Sequence, residues 1–267
     1  MAFWKFLDAR VKGQEKNIPW FVNDKLKAYD FYKKNNLPTP EILHIYDTPG
    51  QVDFDQMPDS FCIKPANMHS AAGVMPLIKL SSGLYLDRLR KRVISVEGVV
   101  KEQELVFDKC NFKSTYKIII EEGLGHQANG FLIPYDYKLY AFANGIGVIL
   151  QIDRNSDKPY ISFFDGGFSP LGFDGVINVD RPSIVRRGSP VVPVHAAEMI
   201  TCARRIPALL NTPFVSVDMY STNKGFFIGE ITPAPGAPYY KDIFEFSQEY
   251  DEMLGGLWSE FSASLSI

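Results

Sequence analysis

Two acids near the C-terminal end have the type and spacing to share a cation. Phe214-Val-Ser-Val-Asp-Met-Tyr220 alternates, with Val215, Val217 and Met219 on one face and Ser216, Asp218 and Tyr220 on the other, the period of a half-buried strand. Ser221-Thr-Asn-Lys-Gly225 is turn material, so Gly225-Phe-Phe-Ile-Gly-Glu-Ile-Thr-Pro233 should fold back as an antiparallel partner. Asp218 and Glu230 then project onto one face among apolar neighbours. Buried carboxylates a few ångströms apart repel, and a bound Mg²⁺ removes the penalty at both. Two solvated acids on an exposed strand face are the bland alternative.

Three further groups carry chemistry. Lys64 closes the apolar run Ser60-Phe-Cys-Ile-Lys-Pro65, and Ala66-Asn-Met-His-Ser-Ala-Ala-Gly-Val74 follows as a small-residue loop. Backbone N–H groups of such a loop wrap phosphate oxygens while the lysine adds a point charge. It is not a Walker A motif, because no Gly-Lys-Ser/Thr opens a helix, and a plain surface hairpin accounts for it equally well. His69 is loop decoration or a catalytic group, with no second histidine nearby to suggest metal. Glu121-Glu-Gly-Leu124, at the exit of an apolar strand, offers backbone donors and acceptors beside aliphatic walls, as a planar base requires, or is simply a strand end. Asp136 and Lys138 share a strand face, with Arg154 returning on the next strand. They form either a cross-strand ion pair or a set of cations aimed at an anionic substrate.

The elements that must position these groups follow from periodicity and breakers. Asn23-Asp24 caps a helix over 25–35, and strands are expected at 41–46, 60–65, 75–80, 116–122, 136–142 and 148–154. Helices are expected at 85–93, 99–108, 194–210 (kinked or split at Pro207) and 243–261, with an irregular crossing over 156–192. Phe3, Trp4, Phe6 and Leu7 mark one side of a terminal helix, docking or packed. Two α+β halves should meet near Glu121-Glu122.

Composition sets the outer limits. The 267 residues carry a net charge of -3, which argues against a surface built to neutralise nucleic-acid phosphates. Three scattered cysteines with no C-x-x-C pair point to a reducing compartment without structural zinc. Charge interrupts the N-terminus too early for a secretory leader, and no apolar run reaches the roughly 20 residues of a membrane helix. A soluble, cytoplasmic protein is expected.

Taken in order, lysine-strand-loop, Glu-Glu hinge, Asp-x-Lys strand and Asp…Glu hairpin resemble the ATP-grasp superfamily. The stretch Asn23-Asp-Lys-Leu-Lys to Pro38-Thr-Pro-Glu41 is similar to the opening of that module in D-alanine–D-alanine ligases. Asp136-Tyr-Lys-Leu-Tyr-Ala-Phe142, Val217-Asp-Met-Tyr220 and Gly229-Glu-Ile-Thr-Pro233 more closely resemble the teichuronopeptide-type (TupA-like) members, and the likeness spans roughly residues 20–240. The resemblance implies an α+β, ATP-grasp fold in which two subdomains clamp a nucleotide: 23–118 with the phosphate loop, 119–267 with hinge and metal site, and 1–22 as a remnant or docking helix.

It also implies roles. Lys64 and Lys25 contact ATP phosphates, the loop at 67–73 with Ser70 and Gly73 closes over them, and adenine lies against the Glu121, Glu122 and Leu124 hinge. Asp218 and Glu230 hold Mg²⁺, and Lys138 and Arg154 neutralise the transferred phosphoryl. Where many members have Glu-x-Asn, this chain has Glu230-Ile-Thr232, so Thr232 either joins the metal set or orients a ligand or water. The implied activity is an ATP- and Mg²⁺-dependent carboxylate–amine ligase working through an acyl phosphate, joining an amino acid to a uronic acid or similar carboxylate in bacterial surface polysaccharide or peptide-conjugate assembly. A hydroxyl kinase on the same fold and a non-catalytic nucleotide-binding scaffold are the rivals. Only about 22 residues precede the module, so a large acceptor or a second subunit, as in a homodimer, is expected to complete the substrate site.

Overall fold

A computed structural model describes residues 2–68, 71–126, 128–130, 132–236 and 243–264. Two antiparallel sheets organise the chain. The first has six strands in the order β1 (Ile42–Tyr46), β6 (Ile118–Glu122), β2 (Ser60–Pro65), β3 (Met75–Ser81), β4 (Leu84–Asp87) and β5 (Arg92–Ser95). Alternation along β2 decides its two faces. Phe61 and Ile63 pack with Met75, Leu77, Tyr85, Ile118, Ile120 and Val99 of helix α3 (Val96–Lys109), while Cys62 and Lys64 take the opposite face with Glu121. Helix α2 (Lys25–Lys34) starts where Asp24 accepts from the N–H groups of Leu26 and Lys27, an N-cap that satisfies two of the orphan donors of its first turn.

The second sheet runs β10 (Pro170–Leu171), β9 (Tyr160–Phe164), β8 (Gly145–Asp153), β7 (Asp136–Phe142), β13 (Phe214–Thr222) and β14 (Gly225–Thr232), with β12 (Arg186–Arg187) parallel to β9. One face, through Leu139, Ile149, Val215 and Val217, buries Met199, Ala203 and Ile206 of helix α4 (Ala196–Leu210) together with Tyr29 and Tyr32 of α2. The other face is divided. Along β7 it carries Phe142 and Tyr140, then Lys138 and Asp136. The aromatic end packs under α1 (Phe3–Val11), α5 (Gln248–Ser264) and the strand pair β11 (Ile177–Asp180) with β15 (Phe244–Phe246).

Four expectations are corrected. Residues 85–93 contain β4 and the start of β5, a hairpin rather than a helix. Its basic run serves Asp87, which is fully buried and pairs with Arg90 (3.0 Å) and Arg92 (3.5 Å). The 156–192 crossing contains β9, a full member of the second sheet, and three shorter strands. The last helix begins at Gln248, after β15. Pro207 neither splits nor ends α4, because it sits in the last turn, where Asn211 at φ 49° closes the helix by donating to Ala208 and Pro207 carbonyls.

Candidate active site

The β13–β14 hairpin places Asp218 directly opposite Glu230, and on its other side β7 places Lys138 opposite Asp218. Residues paired this way have side chains about 5 Å apart on one face. Lys138 Nζ donates to Asp218 Oδ2 and lies 3.2 Å from Asp136 Oδ2, which Arg154 reaches at 3.1 Å; Ser216 Oγ donates to Asp218 Oδ1 at 3.1 Å. The result is a row of alternating charge across three strands. Burial, with Asp136 and Glu230 adding to it and Lys138 opposing, pushes the Asp218 carboxyl up to about 7. Burial acts on Asp136 as well, but Lys138 and Arg154 together hold that carboxyl below its ordinary range. Thr232 stands opposite Ser216 at the open end of the hairpin.

Among the described residues no three His, Cys, Asp or Glu side chains gather as a metal cage. Two all-oxygen carboxylates fit Mg²⁺, which is ordinarily held by one or two protein carboxylates, substrate phosphates and water. Burial is the chief cause of the raised Asp218 carboxyl, and Glu230 adds to it even with Lys138 beside it. Asp218 and Glu230 are therefore the residues that would hold the ion.

The first half contributes Lys64, Lys25 and Glu121. Lys64 Nζ contacts Glu121 Oε1, and Tyr29 donates its hydroxyl to the same oxygen from α2. Lys25 Nζ donates to the Met68 carbonyl at 2.7 Å, and its N–H to Ala66 at 3.2 Å, so the start of α2 is tied to the loop after β2. Burial lowers both lysines, while Glu230, from the other half, raises both. Glu230 of one half thus acts electrostatically on both lysines of the other. Burial pushes Glu121 up to about 8. Gly73, at φ 72°, has no room for a side chain: an added Cβ would stand 2.7 Å from the Pro65 ring. Fully buried Gln103 of α3 donates to the Gly73 carbonyl at 2.7 Å and fixes that end of the loop. Ser70 and His69 lie outside the described residues.

At the hinge, Glu122 N–H donates to Glu41 O (2.9 Å) and Gly123 N–H to Ser60 O (3.1 Å). The Glu41 N–H turns instead to Glu122 Oε1 at 3.1 Å, so it does not return the bond to the Glu122 carbonyl. Leu124 follows, half-buried. Lys224, in the hairpin turn of the second half, pairs with Glu122 at 3.2 Å. Sequence reasoning missed Tyr29, Gln103, Ser216 and Lys224. Tyr29 and Ser216 carried a signal, a polar atom on a stripe or strand that otherwise buries itself. Gln103 and Lys224 carried none.

Two antiparallel α+β halves with facing lysines and carboxylates define the ATP-grasp fold. The chain belongs to the TupA-like ATP-grasp family, whose family model matches residues 5–259. No curated protein matches it. Similar solved structures include the D-alanine–D-alanine ligase of Helicobacter pylori (12% identity, 89% of this chain and 60% of that one, TM-score 0.54). The Bacillus anthracis D-alanine–D-alanine ligase complexed with ATP (12%, 92% and 67%, 0.51) and D-alanyl-alanine synthetase A of Vibrio cholerae O1 biovar eltor (15%, 89% and 64%, 0.50) are others. At such identities the likeness is one of fold. The chain spans three-fifths to two-thirds of the length of these proteins. No described helix is long and apolar enough to cross a membrane.

Proposed function

We propose that the protein is an ATP- and Mg²⁺-dependent ligase that joins a carboxylate to an amine through an acyl phosphate. One observation carries this reading: Asp218, Glu230 and Lys138 adjoin on one sheet face while Lys25 and Lys64 face Glu230 from the other half. Lys64 and Lys25 hold phosphate oxygens, the loop at 67–73 with Ser70 and Gly73 covers them, and the base sits at Glu121, Glu122 and Leu124. Asp218 and Glu230 would hold Mg²⁺, which would supply positive charge to offset that of the phosphates; Thr232 orients a ligand or water beside them.

The substrate carboxylate attacks the γ-phosphorus, the bond to the β–γ bridging oxygen breaks, and ADP leaves. The amine nitrogen then attacks the acyl carbon, the C–O bond to phosphate breaks, and the nitrogen loses a proton as the amide forms. Lys138 is placed to steady the charge on the transferred group, work that asks for position and cations rather than covalent participation by the protein. The proposed acceptor is a uronic acid or similar carboxylate of a bacterial surface polysaccharide or peptide conjugate, handled in the cytoplasm, where ATP is supplied. Support for that acceptor comes from family membership alone.

A matrix of amino acids against uronates, scored for ADP release and product mass, tests the proposal. ADP release that needs both partners, with an amide product, is expected. A stable phosphorylated alcohol would make the protein a kinase instead, and ATP binding without turnover on any pair would leave a nucleotide-binding scaffold.

A further inference from the structure

The charged row does not end at Arg154. Leu150 of β8 stands opposite Lys138, Ile152 stands opposite Asp136, and Ile161 of β9 stands opposite Ile152. These three, with Val185 and Phe244, wall a pocket of about 20 Å³ that also touches Arg154. That is space for one or two methyl-sized groups. Leu150, Ile152, Ile161, Val185, Ile243 and Phe244 are each at most 4% exposed, whereas the Arg154 side chain is 38% exposed. Neighbouring strands lie about 4.8 Å apart, so the Leu150 floor is roughly one spacing from Lys138 and two from Asp218.

A second observation points at the same corner. Asp136 is 5% exposed, and its Oδ2 takes both Lys138 and Arg154, while its Oδ1 is buried with no hydrogen-bond partner among the described residues. A buried carboxylate oxygen without a donor is costly and marks a place where a ligand donor belongs. Cation, unmet acceptor and apolar hollow thus adjoin, one strand from the lysine at the metal pair.

We propose that this corner seats the amine substrate and that the amine is an α-amino acid with a short aliphatic side chain. The side chain enters the Leu150–Ile152–Ile161 hollow, the ammonium donates to Asp136 Oδ1, and the carboxylate takes the Arg154 guanidinium, whose planar fork of donors accommodates more than one carboxylate. Walls that are apolar except at the Arg154 side disfavour a sugar hydroxyl or a serine side chain, the volume rejects an aromatic ring, and glycine leaves the hollow unfilled. The assignment rests on the ligase reading and supplies the amine class that reading leaves open.

Calorimetric titration of glycine, alanine, valine, serine and phenylalanine into protein saturated with Mg²⁺ and a non-hydrolysable ATP analogue tests it. Alanine or valine should bind about tenfold or more tighter than the other three, the discrimination that a filled apolar pocket yields. Ile161→Phe, which fills the hollow, should erase that advantage; Val185→Leu is the milder variant if the first does not fold. Equal binding of all five, a preference for serine or phenylalanine, or alanine binding indifferent to both variants would overturn the assignment. Nucleotide binding followed in the same cell separates the two ideas. Analogue bound with no amino acid bound overturns the amine site alone, and no analogue bound removes the ligase reading together with it.

Discussion

Lys64 and Glu121 meet in a place that disfavours both of their charges. Burial lowers the lysine and raises the glutamate to about 8, so it works against the ionised form of each. A carboxyl whose folded pKa lies above its unfolded value binds more protons folded than unfolded between those two values. Its contribution to stability is therefore greatest at low pH and is lost as pH rises from about 4.5 toward 8. Glu121→Gln should flatten the fall in stability between pH 5 and 8 by up to about 1.4 kcal/mol per pH unit, as read from urea midpoints at several pH values. Parallel curves for the two proteins would show that Glu121 does not titrate there. A nucleotide phosphate would give Lys64 an anion outside this pair. Lys64→Ala should weaken ATP binding by about 1–3 kcal/mol, the scale of a charged hydrogen bond, and calorimetry showing unchanged affinity would remove the lysine from the phosphate site.

At the scale of elements, the β13–β14 hairpin is clamped at its open end. Fully buried Arg10 of α1 donates to the Phe214 carbonyl (2.9 Å) at the start of β13 and to the Pro233 carbonyl (2.8 Å) just past β14. It also pairs with Glu15 at 2.8 Å and stacks 4.2 Å from the Trp258 ring centre. Phe3 of the same helix meets six aromatic rings at 5.1–6.2 Å. Arg10→Met should cost about 3–5 kcal/mol in denaturant unfolding, because two buried carbonyls and a carboxylate lose their donor together. A loss under about 1 kcal/mol would show that the ends of the hairpin hold themselves.

This scale also shows what the sequence could reveal. The Asp218–Glu230 pairing was legible because a period of two leaves no choice of face, and Lys64 because a strand ends beside a loop of small residues. The β4–β5 hairpin was not legible. Arg88, Arg90, Lys91 and Arg92 read as a solvated helix face, yet they serve buried Asp87 and carbonyls of a distant loop, and Lys91 turns at φ 53° without a glycine to announce it. Strands β11 and β15 are short and find each other far along the chain, where local periodicity carries no signal. The hollow beside Arg154 is made by β8, β9 and residues near 185 and 243, a meeting that only the tertiary fold creates.

For the whole molecule, the two sheets are joined by polar contacts that nucleotide could reorganise. Lys224 reaches Glu122 across the hinge, Tyr32 of α2 accepts from the Ile231 N–H of β14 at 3.1 Å, and Glu230 acts on both first-half lysines. The proposed ligase needs a cation that binds at Asp218 and Glu230 only when phosphates arrive from the other side. Mn²⁺ in place of Mg²⁺ makes that visible by electron paramagnetic resonance. The free-ion signal of Mn²⁺ should collapse on adding ATP to the native protein, beyond its loss to ATP alone, and Asp218→Asn or Glu230→Gln should abolish the extra loss while the fold persists. A signal equally quenched by the native protein and both variants would contradict the metal site, and with it the ligase.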